Sequence, residues 1–258
     1  MKRIGIYTGM GYKVPFEDRV VAIKDAGFNV ICLDFEKEME PTETSWENQV
    51  KVCQKYNMPI ETVHLTGSGT TKIWEDCETA EYVTNRLIEE LRDMSRLGVE
   101  VGVAHITWGY DVPNEPNPNA LDRFKRITEA AEKYNVKLGL ENSVYAKQVR
   151  FVLDNIQSDH IGFCFDSGHE NAFTHGENYL DSYADRLVAM HLHDNDGVHD
   201  QHKLPFDGTV DWNKTVAQLK KSQLFRESVI LELARQMEYP MEELLRLGYE
   251  RAIKLAEM

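Results

Sequence analysis

The amino-acid sequence predicts an α/β protein built as a single (β/α)8 barrel that covers residues 1–258. Three observations support this prediction. Short apolar, β-branched runs alternate with longer helical patterns from one end of the chain to the other. Eight such runs occur, each followed by a helical pattern, and this repeat is typical of barrels of roughly 250 residues. No linker, charge block or low-complexity segment divides the chain.

The predicted strands are the eight apolar runs, taken in chain order. Their apolar and β-branched composition favours strands over helices. They are RIGIYT (3–8), NVICLDF (29–35), IETVHL (60–65), VGVAHIT (101–107), KLGLEN (137–142), IGFCFD (161–166), LVAMHLH (187–193) and VILELA (229–234).

Helices are predicted in the intervals between these strands. Apolar residues recur at helical spacing after the third strand, at Leu87, Leu91, Met94 and Leu97. The segment after the last strand has a similar pattern, at Leu244, Leu247, Ala252 and Leu255. Glycines that suit helix ends precede two of the strands, at Gly27 and Gly98.

A doubly wound open sheet is the alternative fold. It usually has fewer strands and a glycine-rich phosphate turn after the first of them. The segment YTGMGYKV contains Gly9 and Gly11 but lacks the third glycine of the dinucleotide-binding fingerprint. The segment DVPNEPNPNA (111–120), rich in Pro and Asn, is predicted to be a long loop of the barrel rather than a domain boundary. The barrel is therefore the preferred prediction.

Composition limits the expected partners and location. The chain has 29 Lys and Arg against 43 Asp and Glu, and the resulting net charge of −14 argues against nucleic-acid binding. The 4 cysteines form no C-x-x-C pair, which favours reduced thiols in a cytoplasmic protein. Neither a signal peptide nor an apolar run long enough to span a membrane is found, so we expect no membrane partner.

Potential metal ligands lie at the carboxyl ends of six consecutive predicted strands. Side chains at these ends converge on one face of a barrel. Imidazole nitrogens and carboxylate oxygens suit a divalent cation of intermediate hardness. In strand order from the third strand, the six residues are His64, His105, Glu141, Asp166, His191 and Glu232. This regularity predicts a metal site.

Two local clusters extend the predicted site. In FDSGHE, Asp166 and His169 are three residues apart at a strand exit and can reach the same face. In the loop after the seventh strand, Asp200 and His202 point the same way if the segment is extended. Four further polar residues near this loop are interpreted as solvated, rather than as partners that orient ligands: His193, Asp194, Asp196 and His199.

Five motifs occur in an order that resembles the sugar phosphate isomerase/epimerase family, whose members have a xylose isomerase-like TIM barrel. The motifs are LGLENS, FDSGH, HLHDND, DQHKLPFDGTVDW and VILELA. The resemblance covers essentially the whole chain. The same superfamily includes AP endonucleases of the endonuclease IV type.

The resemblance implies a ligand set for each branch of the superfamily. The isomerase and epimerase branch implies one divalent metal held by Glu141, Asp166, His191 and Glu232. The nuclease branch binds three zinc ions and implies five additional ligands, namely His64, His105, His169, Asp200 and His202. All of these positions are filled, so one to three metal ions per chain are expected. The mixed donors suit Mn²⁺ or Zn²⁺, with Co²⁺ as a third candidate.

The first functional hypothesis is a divalent-metal-dependent sugar or sugar phosphate isomerase or epimerase. Such an enzyme abstracts a proton alpha to a carbonyl, and the metal stabilises the enediolate. Glu141 and Glu232 are the expected acid/base pair, and His169 is expected to contact a substrate oxygen. One feature departs from the ketose 3-epimerases of the family, which have a substrate-contacting arginine shortly after the seventh-strand histidine. The segment HDNDGVHDQ contains none.

The substrate is expected to be a small sugar or sugar phosphate. Trp108, Lys203 and Arg235 are candidate substrate-binding residues. Arg235 follows the eighth strand, where barrels often hold phosphate, although a single arginine favours an unphosphorylated substrate. A homo-oligomer is expected from the family resemblance.

The alternative hypothesis is a multi-zinc phosphodiesterase similar to endonuclease IV. The large ligand set favours it. However, the predicted rim loops 109–120, 166–185 and 194–202 contain no Lys or Arg, and DNA binding normally needs cationic contacts to phosphates. The isomerase hypothesis is therefore preferred. A lyase or dehydratase acting on keto-sugars uses the same proton abstraction and stays an alternative.

Overall fold

The computed structural model describes residues 2–35, 45–107, 109 and 112–258. Its strands are β1 (Arg3–Tyr7), β2 (Val30–Asp34), β3 (Ile60–His64), β4 (Val101–His105), β5 (Lys137–Glu141), β6 (Ile161–Asp166), β7 (Leu187–His191) and β8 (Ser228–Leu231). All eight form one parallel sheet in the order β7-β6-β5-β4-β3-β2-β1-β8. Leu192, directly after β7, forms a parallel bridge with Leu231 of β8, so the sheet curls into a nearly closed barrel.

Helices separate the strands in the described part of the chain. They are α1 (Phe16–Asp25), α2 (Trp46–Lys55), α3 (Glu78–Leu97), α4 (Ala120–Tyr134), α5 (Ala146–Asn155), α6 (Ser167–Phe173), α7 (Tyr179–Tyr183), α8 (Trp212–Leu219), α9 (Gln223–Glu227) and α10 (Met241–Glu257). The helix α3 buries Leu87, Leu91 and Met94, as its apolar spacing predicts. It ends at Gly98, whose φ of 74° is the left-handed conformation that favours glycine.

The parallel register places the ends of neighbouring strands at the same level. In this register, Asp34 of β2 lies beside His64 of β3, and His105 of β4 lies beside Glu141 of β5. Asp166 of β6 lies beside His191 of β7 in the same way. Because neighbouring strands lie about 4.8 Å apart, these polar side chains are within reach of one another. The carboxyl ends of the strands therefore bring the predicted ligands to one mouth of the barrel.

The predicted fold class is confirmed. Each predicted strand overlaps an observed one, and the ends differ by at most three residues. The open doubly wound alternative is wrong, because the strands follow each other in chain order around the barrel. The extent of the domain stays a prediction. Trp108 and the first residue of the predicted 111–120 loop lie outside the described residues, whereas residues 112–119 contain no helix or strand.

Within the described residues, no helix combines the length and the apolar composition needed to cross a membrane.

Candidate metal centre

Glu141, at the end of β5, lies among four imidazole rings. Its carboxylate has no exposed surface. The closest contacts are His64 Nε2 at 3.3 Å, His105 Nε2 at 3.0 Å, His169 Nδ1 at 3.3 Å and His191 Nδ1 at 3.2 Å. Side chains from five different elements therefore converge on one buried carboxylate. This agrees with the rule that side chains at the carboxyl ends of barrel strands converge on one face, which we call the strand-end rule.

A first group of donors combines three carboxylates with one imidazole. One ligand atom from each of Glu141, Asp166, His191 and Glu232 lies within 4.8 Å of the others, and all four residues are buried. His191 Nδ1 is 3.2 Å from Glu141 Oε1 and 3.0 Å from Glu232 Oε2. These are the four residues that the family resemblance assigns to a single divalent metal. We call them the first donor group.

A second group of donors lies beside the first and contains His169, Asp200 and His202. Their ligand atoms also lie within 4.8 Å of one another. Asp200 Oδ2 is 3.1 Å from both His169 Nε2 and His202 Nε2. His169 links the groups, because its Nδ1 contacts Glu141 of the first group. We call these three residues the second donor group.

Hydrogen bonds at the end of β6 fix the FDSGH segment. Asp166 is the N-cap of α6, and its Oδ1 accepts a hydrogen bond from the His169 backbone N–H at 2.6 Å. Asn142 exchanges two hydrogen bonds with the Asp166 backbone, each 2.8 Å long. The Asn142 carbonyl also lies 2.8 Å from His169 Nδ1. The turn that the sequence forms here therefore orients Asp166 and His169 together.

The loop that carries Asp200 and His202 is held by the buried carboxylate of Asp194. Its Oδ1 accepts hydrogen bonds from the backbone N–H groups of Asn195 and Val210. Its Oδ2 accepts from the Phe206 N–H at 3.0 Å and from Trp212 Nε1 at 2.8 Å. Hydrogen bonds to a buried ionised acceptor are the strong ones, so this single side chain closes the loop between β7 and α8.

His202 and Phe206 of the same loop adopt positive φ angles of 46° and 76°. Such conformations are strained for residues other than glycine and persist where the surroundings fix them. In this loop the His202 ring is placed by the Glu232 carbonyl, 3.2 Å from Nδ1, and by Asp200. The Phe206 ring is covered by the Lys254 ammonium, 3.6 Å from its centroid.

The carboxylates raise the pKa of the imidazoles that face them. Burial alone would lower the pKa of His202, but the hydrogen bond to Asp200 and the charge of Glu232 outweigh burial and raise it to about 9. For His64, burial is likewise outweighed by the hydrogen bond and charge of Glu141, and its pKa is also about 9. Conversely, the charges of His105 and His191 outweigh burial at Glu141 and hold its pKa well below the ordinary value.

These residues fit a divalent cation. Within the described residues, no Lys or Arg pairs with the carboxylates of Glu141, Asp166, Asp200 or Glu232, and only imidazoles offset their charge. Glu141, Asp166 and Glu232 are buried, and buried carboxylates without a cation are costly. Cys164 is close to Glu141 and His191, but burial raises the pKa of its thiol well above the usual range, which disfavours it as a ligand.

A cavity of about 200 Å³ opens beside the two donor groups. Its walls are Tyr7, Asp34, His64, His105, His169, Asp200, His202 and Glu232. Tyr7 and Asp34 were not predicted, although both lie at the carboxyl ends of the first two strands and satisfy the rule applied to the other six. Tyr7 forms a side-chain hydrogen bond with Asp34. Burial is the main cause that raises the pKa of the Tyr7 hydroxyl well above the ordinary value, and the negative charge of Asp34 is the second.

One sequence interpretation needs correction. His193 and Asp194 are not solvated, because neither has exposed surface. His193 Nε2 lies 3.1 Å from Asp166 Oδ2, and Asp194 holds the loop described above. Asp196 and His199 do lie on the exposed part of the loop, where Asp196 Oδ2 is 2.9 Å from His199 Nδ1.

The predicted substrate-binding residues lie away from the cavity walls or outside the described residues. Lys203 pairs through its backbone with Asp194, and neither it nor Arg235 lines the cavity. The Arg235 guanidinium lies over the Tyr12 ring at 5.7 Å. Trp108 is outside the described part of the chain. A substrate role for these three residues stays a prediction.

The fold and this set of side chains define a (β/α)8 barrel with a histidine- and carboxylate-rich site at the carboxyl ends of its strands. A family model described as xylose isomerase-like TIM barrel matches residues 20–253, and the chain belongs to this family. The resemblance found in the sequence motifs is thereby confirmed.

Two curated proteins are similar over part of the chain. The uncharacterized protein y4fM of Sinorhizobium fredii is 40% identical over 91 residues, which are 35% of this chain and 29% of the relative. The uncharacterized protein MJ1311 of Methanocaldococcus jannaschii is 25% identical over 114 residues, 40% of this chain and 39% of the relative. The chain therefore aligns with well under half the length of either relative.

Several solved structures share the fold over the whole chain. D-psicose 3-epimerase with D-tagatose from Clostridium cellulolyticum H10 has a TM-score of 0.78 at 12% identity and covers 100% of this chain and 98% of its own. The IolI protein with a bound zinc atom has a TM-score of 0.78 at 16% identity, with the same coverage. The 3-keto-D-glucoside 4-epimerase from E. coli has a TM-score of 0.74 at 14% identity and covers 100% of both chains. At sequence identities this low, the similarity shows a shared fold only.

Proposed function

We propose that the protein is a divalent-metal-dependent isomerase or epimerase of small sugars, which abstracts a proton alpha to a carbonyl. The observation that carries the proposal is the pair of carboxylates around one imidazole. Glu141 Oε1 and Glu232 Oε2 lie 3.2 and 3.0 Å from His191 Nδ1, beside the cavity. Proton transfer between adjacent carbons needs one group that accepts the proton and one that returns it. Fold neighbours described as sugar epimerases support the same reaction class.

The first donor group would hold the metal. When bound, a divalent cation supplies the positive charge that makes the proton next to a carbonyl more acidic. Carboxylate and imidazole donors favour Mn²⁺, Zn²⁺ or Co²⁺ over Mg²⁺. The zinc atom of the similar IolI structure supports a metal of this kind.

Glu232 is the group best placed to take the proton, because it lines the cavity. Glu141 is the proposed partner that returns a proton, although it has no exposed surface and its oxygens face histidines. His169 lines the cavity between Glu141 and Asp200, where its ring is within reach of a substrate oxygen. Its proposed role is to orient that oxygen.

The walls of the cavity favour a neutral, polyhydroxylated substrate. Among the described lining residues there is no Lys or Arg, whereas the Tyr7 hydroxyl and the Asp34 carboxylate offer hydrogen bonds to substrate hydroxyls. A phosphate would lie next to the carboxylates of Asp34, Asp200 and Glu232. Lys203 and Arg235 would contact only a substrate that extends beyond this cavity.

A multi-zinc phosphodiesterase is the second candidate. It is favoured by the second donor group, since His169, Asp200 and His202 lie together as a further metal site would require. The acidic cavity argues against it, because phosphate contacts normally come from cationic side chains. Metal stoichiometry and substrate preference together distinguish the two candidates.

The test combines elemental analysis, which gives the metal stoichiometry, with an exchange assay. The purified protein is loaded with Mn²⁺, Zn²⁺ or Co²⁺ and incubated in D₂O with a panel of ketoses, and deuterium incorporation next to the carbonyl is followed by NMR. We expect metal-dependent incorporation that stops in chelator and in Glu232→Gln. Failure to exchange any ketose, combined with cleavage of DNA that contains an abasic site, would establish the second candidate instead.

A further inference from the structure

His193 contacts both donor groups. Its Nε2 lies 3.1 Å from Asp166 Oδ2 of the first group and 3.7 Å from Asp200 Oδ1 of the second. Its ring stacks on that of His202, with centroids 3.9 Å apart and an interplanar angle of 9°. No part of the His193 side chain reaches solvent, because the residue has no exposed surface.

The backbone around His193 fixes the ring in this position. The His193 N–H donates to Ser167 Oγ at 3.0 Å, and the Ser167 hydroxyl donates to the His193 carbonyl at 2.7 Å. These bonds join the loop after β7 to the first turn of α6, the turn that Asp166 caps. The backbone that carries the His193 ring is therefore joined to the turn that carries the Asp166 carboxylate.

Gly168 leaves the space that the His193 ring occupies. A Cβ atom built on Gly168 would lie 1.9 Å from His193 Cε1 and 2.5 Å from its Nδ1. Any side chain at position 168 would displace the imidazole. The glycine of the FDSGH motif is therefore required by the close approach of this ring, and no strained φ is involved.

One nitrogen of His193 is satisfied and the other is not. Among the described residues, its Nδ1 is buried and has no hydrogen-bond partner. A buried imidazole with a purely structural role normally has partners for both nitrogens. The nitrogen that has a partner is Nε2, which faces Asp166 and can donate a hydrogen bond to it. The ring is thus held where Nε2 contacts the Asp166 carboxylate, even though Nδ1 has no hydrogen-bond partner there among the described residues.

We propose that His193 is a positioning residue that donates its Nε2 hydrogen to Asp166 and supports His202 by stacking, so that both donor groups are prepared to receive metal. The inference rests on the proposed metal-dependent function. An outer partner that hydrogen-bonds a ligating carboxylate orients it, and loss of such a partner typically weakens metal affinity about 10- to 100-fold.

The experiment compares metal affinity, stoichiometry and stability in three variants. His193→Ala removes the ring, His193→Gln keeps an N–H donor of similar reach, and Gly168→Ala displaces the ring without altering a donor. Zn²⁺ affinity is measured by competition with a chromophoric chelator, and Co²⁺ absorption reports the ligand geometry. We expect about 10- to 100-fold weaker binding and a changed Co²⁺ spectrum in His193→Ala and Gly168→Ala, a smaller loss in His193→Gln, and unchanged stoichiometry at saturating metal.

A matched control lies away from the site. His160→Gln alters an imidazole whose Nδ1 contacts the Val136 carbonyl at 2.8 Å. This variant should keep wild-type metal affinity.

Each alternative outcome has a distinct meaning. Variants that lose thermal stability but bind metal like the wild type would overturn the inference, because they would assign His193 a structural role only. Loss of one metal per chain at saturation would also overturn it, since His193 would then be a ligand. A wild-type protein that takes up no divalent metal would instead refute the proposed function.

Discussion

His105 and Glu141 are register partners on neighbouring parallel strands, and His105 Nε2 lies 3.0 Å from Glu141 Oε2. The pairing of two strands therefore sets an imidazole against a carboxylate at the mouth of the barrel. Three further histidines reach the same carboxylate from β3, α6 and β7. Glu141 is consequently the side chain on which most of the candidate site converges.

Glu141→Gln should retain the fold and lose nearly all turnover. The amide has almost the same shape, but it cannot accept a proton and it places an N–H group against imidazole nitrogens. Loss of a general acid or base alone lowers rates by about 10²- to 10⁴-fold. The measurement is deuterium exchange into a ketose, with circular dichroism to verify folding. Glu61→Gln is the control, since Glu61 pairs with Arg3 at the opposite end of the barrel. Near-wild-type exchange in Glu141→Gln would remove this residue from the mechanism.

The strand-end rule predicted much of this site because it depends only on features that the sequence contains. A strand can be located from its apolar run to within a few residues, and the barrel then dictates that its last side chains face one mouth. The rule applied equally to Tyr7 and Asp34, which line the cavity but were not considered. Tyrosine is an uncommon metal ligand, so a search for ligands did not select Tyr7. The Asp34 carboxylate satisfies the rule, but the predicted series of ligands begins only at the third strand.

The loop after β7 could not be predicted in the same way. The segment DNDGVHD has the composition of a solvated loop, and burial of Asp194 depends on contacts with Phe206, Val210 and Trp212, which lie 12 to 18 positions further along the chain. Such contacts leave no periodic pattern in the sequence. The position of His193 depends in addition on the space above Gly168. Tertiary packing, rather than local propensity, therefore decides which polar residues of this loop are buried.

Asp194→Asn should destabilise the loop and weaken the second donor group. The carboxylate accepts from two backbone N–H groups on Oδ1, and from Phe206 and Trp212 on Oδ2. An asparagine amide nitrogen cannot accept, so two buried donors lose their partner, at a cost of about 1–3 kcal/mol each. The midpoint of thermal unfolding and the metal content measure the effect. Asp196→Asn, in the exposed part of the same loop, should change both far less. An Asp194→Asn protein with wild-type stability would contradict this account of the loop.

Tyr7→Phe should weaken substrate binding more than it slows the chemical step. The hydroxyl lies on the cavity wall with Asp34 and is outside both donor groups. Loss of one hydrogen bond to a substrate hydroxyl costs about 0.5–1.5 kcal/mol, which raises KM roughly 2- to 10-fold. Steady-state kinetics separate KM from kcat, and metal content should be unchanged. Tyr12→Phe is the matched control, because the Tyr12 hydroxyl donates to the Tyr239 carbonyl and does not line the cavity. A Tyr7→Phe enzyme that loses kcat at constant KM would indicate a role in proton transfer instead.

Metal affinity should rise with pH up to about 9. The pKa values of His64 and His202 are raised to about 9, so both imidazoles hold protons at neutral pH in the metal-free protein. A ligand must lose its proton before it binds metal, so apparent affinity gains up to about tenfold per pH unit for each proton released. Competition titrations between pH 6.5 and 9 measure this slope. An affinity independent of pH would show that neither histidine releases its proton when metal binds.

Stability in chelator should follow the opposite trend over the same pH range. The folded pKa of His64 and of His202 lies above the unfolded value of about 6.5, so the stabilisation they provide is complete below pH 6.5 and is lost as the pH rises through about 9. Glu141 and Glu232 have lowered pKa values, so their contribution is present above about pH 4.5 and constant in this window. The unfolding midpoint of the chelated protein should therefore fall between pH 6.5 and 9, while addition of Zn²⁺ should raise the midpoint most at the alkaline end. His202→Gln should flatten both trends, whereas a His199→Gln protein should behave like the wild type because His199 is exposed.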